Sequence, residues 1–141
     1  MAKSILIVDS SVIVKWLNQT DEQHISEADL LLSRARYKSL ELVTPELAKF
    51  EAGNALMYKH LSLPELLEAI SLLYSLPLQF VSWNMTLASR TTELVSSAQI
   101  TYYDASFIAL AKHLQTPLIT DNAKHQQKVK GVKVIPLKNY R

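Results

Sequence analysis

Ser4-Ile5-Leu6-Ile7-Val8-Asp9-Ser10-Ser11-Val12-Ile13-Val14-Lys15-Trp16-Leu17 decides how this chain folds. Ser4 to Val8 is short, apolar and β-branched, without the alternation of a half-exposed strand. That pattern predicts a strand covered on both faces, as in a parallel sheet. The run stops at an acid, and Val12 to Leu17 then reads as a helix. Strand, acid and helix in that order open a βα unit.

Similar short runs recur at Leu42-Val43-Thr44, Phe80-Val81, Leu118-Ile119-Thr120 and Val132 to Ile135. Helical segments are predicted between them, at about Glu22 to Tyr37, Glu46 to His60, Pro64 to Tyr74, Met85 to Ser97 and Tyr103 to Leu114. Alternating strands and helices predict an α/β domain, a central parallel sheet between two helical layers. At 141 residues, without a linker, repeat or low-complexity run, the whole of 1–141 is expected to be one domain.

Hydrophobic residues make up 48% of the chain, enough for a core without cross-links. Cysteine is absent, which excludes thiolate metal sites and disulfide frameworks. No apolar stretch approaches the roughly 20 residues needed to span a bilayer. Met1-Ala2-Lys3-Ser4 and the short run after it are too brief for a signal peptide. A cytoplasmic, membrane-free protein is expected. Nine of the thirteen acids lie between Asp21 and Glu68, whereas Lys112, Lys124, Lys128, Lys130, Lys133, Lys138 and Arg141 follow Asp104 with Asp121 the sole acid among them. The basic end is either a phosphate-facing surface or a solvated tail.

Four carboxylates sit beside apolar surface, where a lone charge is costly. Asp9 and Asp121 close two strands, and Glu51 and Asp104 interrupt helical stripes. No Arg or Lys recurs at matching places near all four, so a divalent cation is the simplest common compensation. Open parallel sheets gather ligands outside the carboxyl ends of their strands. Hard oxygen donors there suit Mg²⁺ or Mn²⁺. Asp9, Glu51 and Asp104 are expected to converge at one sheet edge, close enough to share a cation or its water shell. Other readings stay open: Asp9 as a helix N-cap, Asp104 as a charge favouring a helix dipole, Asp121 as turn chemistry. Leu47, Phe50, Glu51, Asn54 and Tyr58 share one helix face, expected to point toward the sheet or the groove above it.

The four histidines, His24, His60, His113 and His125, lack metal-ligand spacing and are expected at the surface or in the core. Ser10 and Ser11 lack a nucleophile-elbow context, and there is no Gly-rich phosphate loop. Tyr102 and Tyr103, beside Asp104, are the aromatic candidates for stacking on a base.

Ile7-Val8-Asp9-Ser10-Ser11-Val12-Ile13-Val14-Lys15-Trp16 resembles the opening of PIN-domain proteins of the VapC toxin type. Thr44-Pro45-Glu46-Leu47 with Phe50-Glu51-Ala52-Gly53-Asn54-Ala55-Leu56 resembles that family's second motif. Tyr103-Asp104-Ala105-Ser106-Phe107-Ile108-Ala109-Leu110-Ala111 resembles the third, and Pro117-Leu118-Ile119-Thr120-Asp121 the fourth. The likeness runs through nearly the whole chain, in the family's order.

The resemblance implies a Mg²⁺- or Mn²⁺-dependent endoribonuclease, often a toxin held inactive by a cognate antitoxin. It carries catalytic and metal-binding roles to Asp9, Glu51, Asp104 and Asp121, with Ser10, Asn54, Thr120 and Asn122 in support. The family commonly shows Thr, any residue, then Asp; here Thr120-Asp121-Asn122 puts Asn at the usual acidic position. Either Asp121 becomes the fourth acid or Asn122 supplies a neutral oxygen. Asp121 is favoured, since a carboxylate directly after a strand can turn into the groove. The resemblance also motivates a homodimer and a smaller antitoxin partner, for which the helix at Leu63, Leu66, Leu67, Ile70, Leu73 and Tyr74 offers apolar surface. The rival readings are a non-catalytic RNA- or protein-binding module of the same fold and a phosphoryl-accepting receiver domain. The latter is disfavoured because it lacks the second acid after the first strand.

Overall fold

The computed structural model describes residues 3–141; Met1 and Ala2, on which part of the signal-peptide reading rests, lie outside the described residues. Five strands form one sheet: β1 (Ser4–Val8), β2 (Leu40–Pro45), β3 (Leu78–Val81), β4 (Leu118–Thr120) and β5 (Val134–Pro136). Every pairing is parallel, in the order β3-β2-β1-β4-β5. The helices are α1 (Ser10–Leu17), α2 (Ile25–Arg36), α3 (Ala48–Met57), α4 (Leu63–Leu73), α5 (Met85–Ala98), α6 (Tyr102–Leu114) and the short α7 (Ala123–Gln126), with a 3₁₀ turn at Leu137–Asn139. They cover both faces of the sheet in a three-layer α/β/α arrangement. None is long and apolar enough to cross a membrane.

β1 is central, and Ile7 and Val8 are wholly buried, as expected for a strand with no exposed face. The chain leaves β1 toward β2 and β3, then returns through α5 and α6 to β4 on the other side of β1. Parallel crossovers are right-handed, so this reversal places α1–α4 on one face and α5–α6 on the other. It also opens a crevice between the carboxyl ends of β1 and β4, the usual ligand position in such sheets. Asp9 N–H donates to the Ile119 carbonyl at 3.3 Å, tying those two ends together. The Thr44 hydroxyl, fully buried, donates to the Val8 carbonyl at 2.8 Å and satisfies the exit of β1 from the other side.

Two expectations about the elements change. The buried side of α3 is made by Ala48, Ala52 and Leu56, while Phe50, Asn54 and Tyr58 are exposed. Small side chains let that helix approach its neighbours closely, and the large rings are left outside. The last strand begins at Val134, two residues later than expected.

Candidate active site

The residue after β1 has two duties. Asp9 has extended backbone and caps α1, its Oδ1 accepting the Ser11 N–H at 3.0 Å. The Ser11 hydroxyl also donates to Oδ1, and the Thr120 hydroxyl donates to Oδ2. A capping carboxylate so well supplied with donors would ordinarily be a stronger acid. Asp9 is instead pushed up from 3.8 to about 6, because its burial outweighs those hydrogen bonds and the Asp104 charge adds to it. Capping therefore does not account for the charge at this position.

Glu51 stands in the first turn of α3, two residues nearer the helix start than expected. Its Oε1 accepts from the Ser10 hydroxyl at 2.9 Å, joining the first motif to the second. Burial raises its pKa; the Ser10 bond opposes that, and the charges of Asp9 and Asp104 reinforce it. Asp104 lies in the first turn of α6, where its backbone N–H donates to the N-cap hydroxyl of Thr101 at 3.1 Å. The dipole reading of Asp104 is thus geometrically satisfied, and its charge still acts on both other acids. Among the described residues, none of these three carboxylates has a Lys, Arg or His salt-bridge partner.

Asp121 differs. Its Oδ2 lies 3.0 Å from Nζ of Lys15, a side chain 1% exposed on α1. It is not among the charges that raise Asp9 or Glu51. The premise that no cation serves the four acids therefore fails for this one. Sequence reading assigns no role to Lys15, and it weighs Ser11 only as a nucleophile without an elbow context. One signal was available: Ser11 and Lys15 are four apart and share a helix face.

The supporting residues divide in two. Thr120 reaches Asp9, and Asn122 donates its backbone N–H to Thr120 Oγ1 at 3.0 Å. Asn54 opens instead onto a cavity of about 570 Å³ lined by Leu47, Phe50, Glu51, Asn54 and Tyr103. Phe50 and Tyr103 there are 77% and 58% exposed. A second cavity, about 670 Å³, lies beside Asp121 and Asn122, with Lys124 and Lys138 on its wall. Lys112 and Lys133 instead line a cavity with Pro117 and Gly131, at the opposite end of β4. The basic C-terminal part thus places lysines at both ends of β4. His24, His60 and His113 are not buried, and the side chain of His125 lies outside the described residues.

Asp9, Glu51 and Asp104 are expected to share a cation or its water shell, and the Asp104 charge acts on both of the others. Among the described residues, no three His, Asp or Glu side chains draw close enough to hold a metal in common. The donor chemistry still fits a hard cation. Mg²⁺ takes one or two carboxylates and keeps several waters, so a tight protein cage is not required.

The model of the PIN domain family matches residues 6–131. No curated protein matches the chain. Among solved structures, the chain is similar to VapBC2 of Rickettsia felis, bound to a promoter DNA fragment, with 14% identity, a TM-score of 0.71, and 94% of this chain and 98% of that one covered. It is similar to VapC20 of Mycobacterium tuberculosis, a sarcin-ricin loop cleaving toxin, with 14% identity, a TM-score of 0.66, and 86% and 93% covered. It is also similar to FitAcB of Neisseria gonorrhoeae, with 14% identity, a TM-score of 0.68, and 95% and 99% covered. At such identities these likenesses speak for the fold. With the family model spanning most of the sequence, the chain belongs to the PIN domain family.

Proposed function

We propose that this protein is a metal-dependent endoribonuclease that hydrolyses RNA phosphodiester bonds, and that it is the cytoplasmic toxin of a toxin–antitoxin pair. What supports the reading is the mutual influence of Asp9, Glu51 and Asp104, with Ser10, next to Asp9, bonded to Glu51. The three acids act on one another as like charges, and among the described residues no basic side chain forms a salt bridge with any of them. Family membership and the likeness to a solved sarcin-ricin loop cleaving toxin support it.

Asp9 and Asp104 would hold Mg²⁺ or Mn²⁺ directly, and Glu51 would hold it or a water beside it. A bound ion supplies positive charge for the phosphoryl oxygens and lowers the pKa of a water. The protein's own part is orientation. The Ser11 and Thr120 hydroxyls fix both oxygens of Asp9. Ser10 fixes one oxygen of Glu51, leaving the other free to accept a proton from attacking water. Phe50 and Tyr103 offer ring faces for a base beside Glu51, and Asn54 offers an amide for its edge. Lys124 and Lys138 sit where neighbouring phosphates can pass.

An antitoxin and a second copy of the chain are proposed partners. Met57, Tyr58, Leu63, Leu67 and Tyr74, on or just after α3 and α4, are exposed, while Leu73 of that stretch belongs to the core. Structures similar to this one include toxin–antitoxin complexes. A non-catalytic RNA- or protein-binding module is the alternative, favoured by one observation: the fourth motif ties its acid to Lys15. Incubation of purified protein with single-stranded RNA, with and without Mg²⁺ or Mn²⁺, separates the two. Cleavage that needs the metal supports the nuclease. Retention of intact RNA in its presence favours the module.

A further inference from the structure

Lys15 occupies a place where an ammonium is tolerated only if every proton is used. It has three donors and three acceptors: Glu22 Oε1 at 3.0 Å, the Gln23 carbonyl at 2.7 Å and Asp121 Oδ2 at 3.0 Å. Burial works against its charge, and the bonds to Asp121 and Glu22 outweigh it, so its pKa is raised. Lys59 reinforces the far side of the network at 2.7 Å from Glu22 Oε2.

The near side leads to the acidic site. The Asp121 N–H donates to Ser11 Oγ at 3.0 Å, and the Asn122 N–H donates to Thr120 Oγ1 at 3.0 Å. Those two hydroxyls are the ones that donate to Asp9. Each grip on Asp9 is therefore backed by a backbone N–H of the segment at 121–122, and that segment is fastened by its Asp121 carboxylate to Lys15. Lys15 lies one turn beyond Ser11 on the same helix face, so α1 supplies both the anchor and one of the hydroxyls.

We infer that Lys15 is a positioning residue for the acidic site, anchoring Asp121 so that the Ser11 and Thr120 hydroxyls stay on the Asp9 carboxylate, and that it withholds Asp121 from the metal ligands. The consequence for catalysis rests on the nuclease reading; the anchor itself is a property of the metal-free chain. Backing groups of this kind typically change metal affinity by about 10- to 100-fold.

Three variants test it: Asp121→Ala, Lys15→Met, and both together. Lys15→Met takes the buried cation from Asp121 and from the Gln23 carbonyl and can fail to fold, so Asp121→Ala is the milder probe; Lys15 keeps Glu22 and Gln23. The first readout is amide hydrogen exchange by NMR in metal-free protein. In Asp121→Ala the amides at 121 and 122 should exchange about tenfold faster or more, while those of Ile7 and Asp9 keep their protection. Unchanged exchange at 121 and 122 overturns the anchor. The second readout is Mn²⁺ titration by calorimetry on the variants that fold. Equal losses in the single variants, with no further loss in the pair, support the inference. A loss confined to Asp121→Ala, or additive losses, makes Asp121 a ligand and overturns it. If wild-type protein neither binds Mn²⁺ nor cuts RNA while the exchange result holds, the nuclease reading fails and the anchor stands.

Discussion

The Ser10 hydroxyl donates to Glu51 Oε1 at 2.9 Å, linking side chains 41 residues apart. This bond stabilises the charged form of a carboxyl group that burial and two neighbouring acids push the other way. Ser10→Ala should therefore raise the Glu51 pKa further. The acid limb of the cleavage pH profile should move to higher pH, so that the rate on that limb falls roughly fivefold, the worth of about one hydrogen bond. Steady-state rates from pH 5 to 9 check this. An unmoved acid limb would show that Glu51 is not the group whose ionisation matters.

Asp9 makes a second pH prediction. Its folded pKa, about 6, lies above its ordinary 3.8. The folded protein binds the extra proton between those values, so this group's contribution to stability falls as pH rises through that window and is level above it. The rise corresponds to about 3 kcal/mol, to order of magnitude. Asp9→Asn removes the effect. In EDTA the variant should be the more stable protein at pH 7.5, by about 1–3 kcal/mol, and the gap should close toward pH 4. Urea unfolding at both pH values measures it; a gap that widens in acid would contradict the account.

Asn122 stands where the family's fourth acid is expected, and Asp121 is committed to Lys15. Asn122→Asp should then add a carboxylate to the crevice and tighten Mn²⁺ binding by about tenfold, at some cost to metal-free stability from added repulsion. Calorimetry and thermal unfolding give both values. Weaker Mn²⁺ binding in Asn122→Asp would place position 122 away from the metal.

The cleft beside Glu51 predicts a binding effect without a folding effect. Phe50 and Tyr103 are exposed, so Phe50→Ala and Tyr103→Ala should leave the melting temperature within about 2 °C of wild type. Loss of a stacked base is worth about 1–3 kcal/mol, so KM for single-stranded RNA should rise roughly 5- to 100-fold with kcat little changed. Equal KM values in wild type and both variants would remove the base from this cleft.

Much of the architecture is written locally. β1 and β4 are apolar runs ending at polar residues, and the reversal of strand order brings those ends together. Asp9 was legible as the acid that closes β1 and caps α1, because both neighbouring elements are written in adjacent residues. The face of α3 was misread because periodicity weighs large apolar side chains, whereas Ala48 and Ala52 take the interior and Phe50 and Tyr58 do not. The α7 turn, Ala123–Gln126, is too short to show a period at all. The fate of Asp121 was hidden for another reason. Its partner, Lys15, is brought near only by the β1–β4 pairing, and no local pattern reports a contact across 106 positions.

The central claim is that Asp9, Glu51 and Asp104 form one metal-dependent phosphodiesterase site. Its most direct test is Mn²⁺-supported cleavage of labelled single-stranded RNA by wild type, Asp9→Asn and Asp104→Asn, each verified as folded by circular dichroism. Wild type should cut RNA with Mn²⁺, stop in EDTA, and resume when the metal is restored. Both variants should lose at least about a hundredfold in rate, the scale of a lost electrostatic contact to the transition state. Cleavage by either variant at the wild-type rate, or wild-type cleavage that persists in EDTA, would contradict the account.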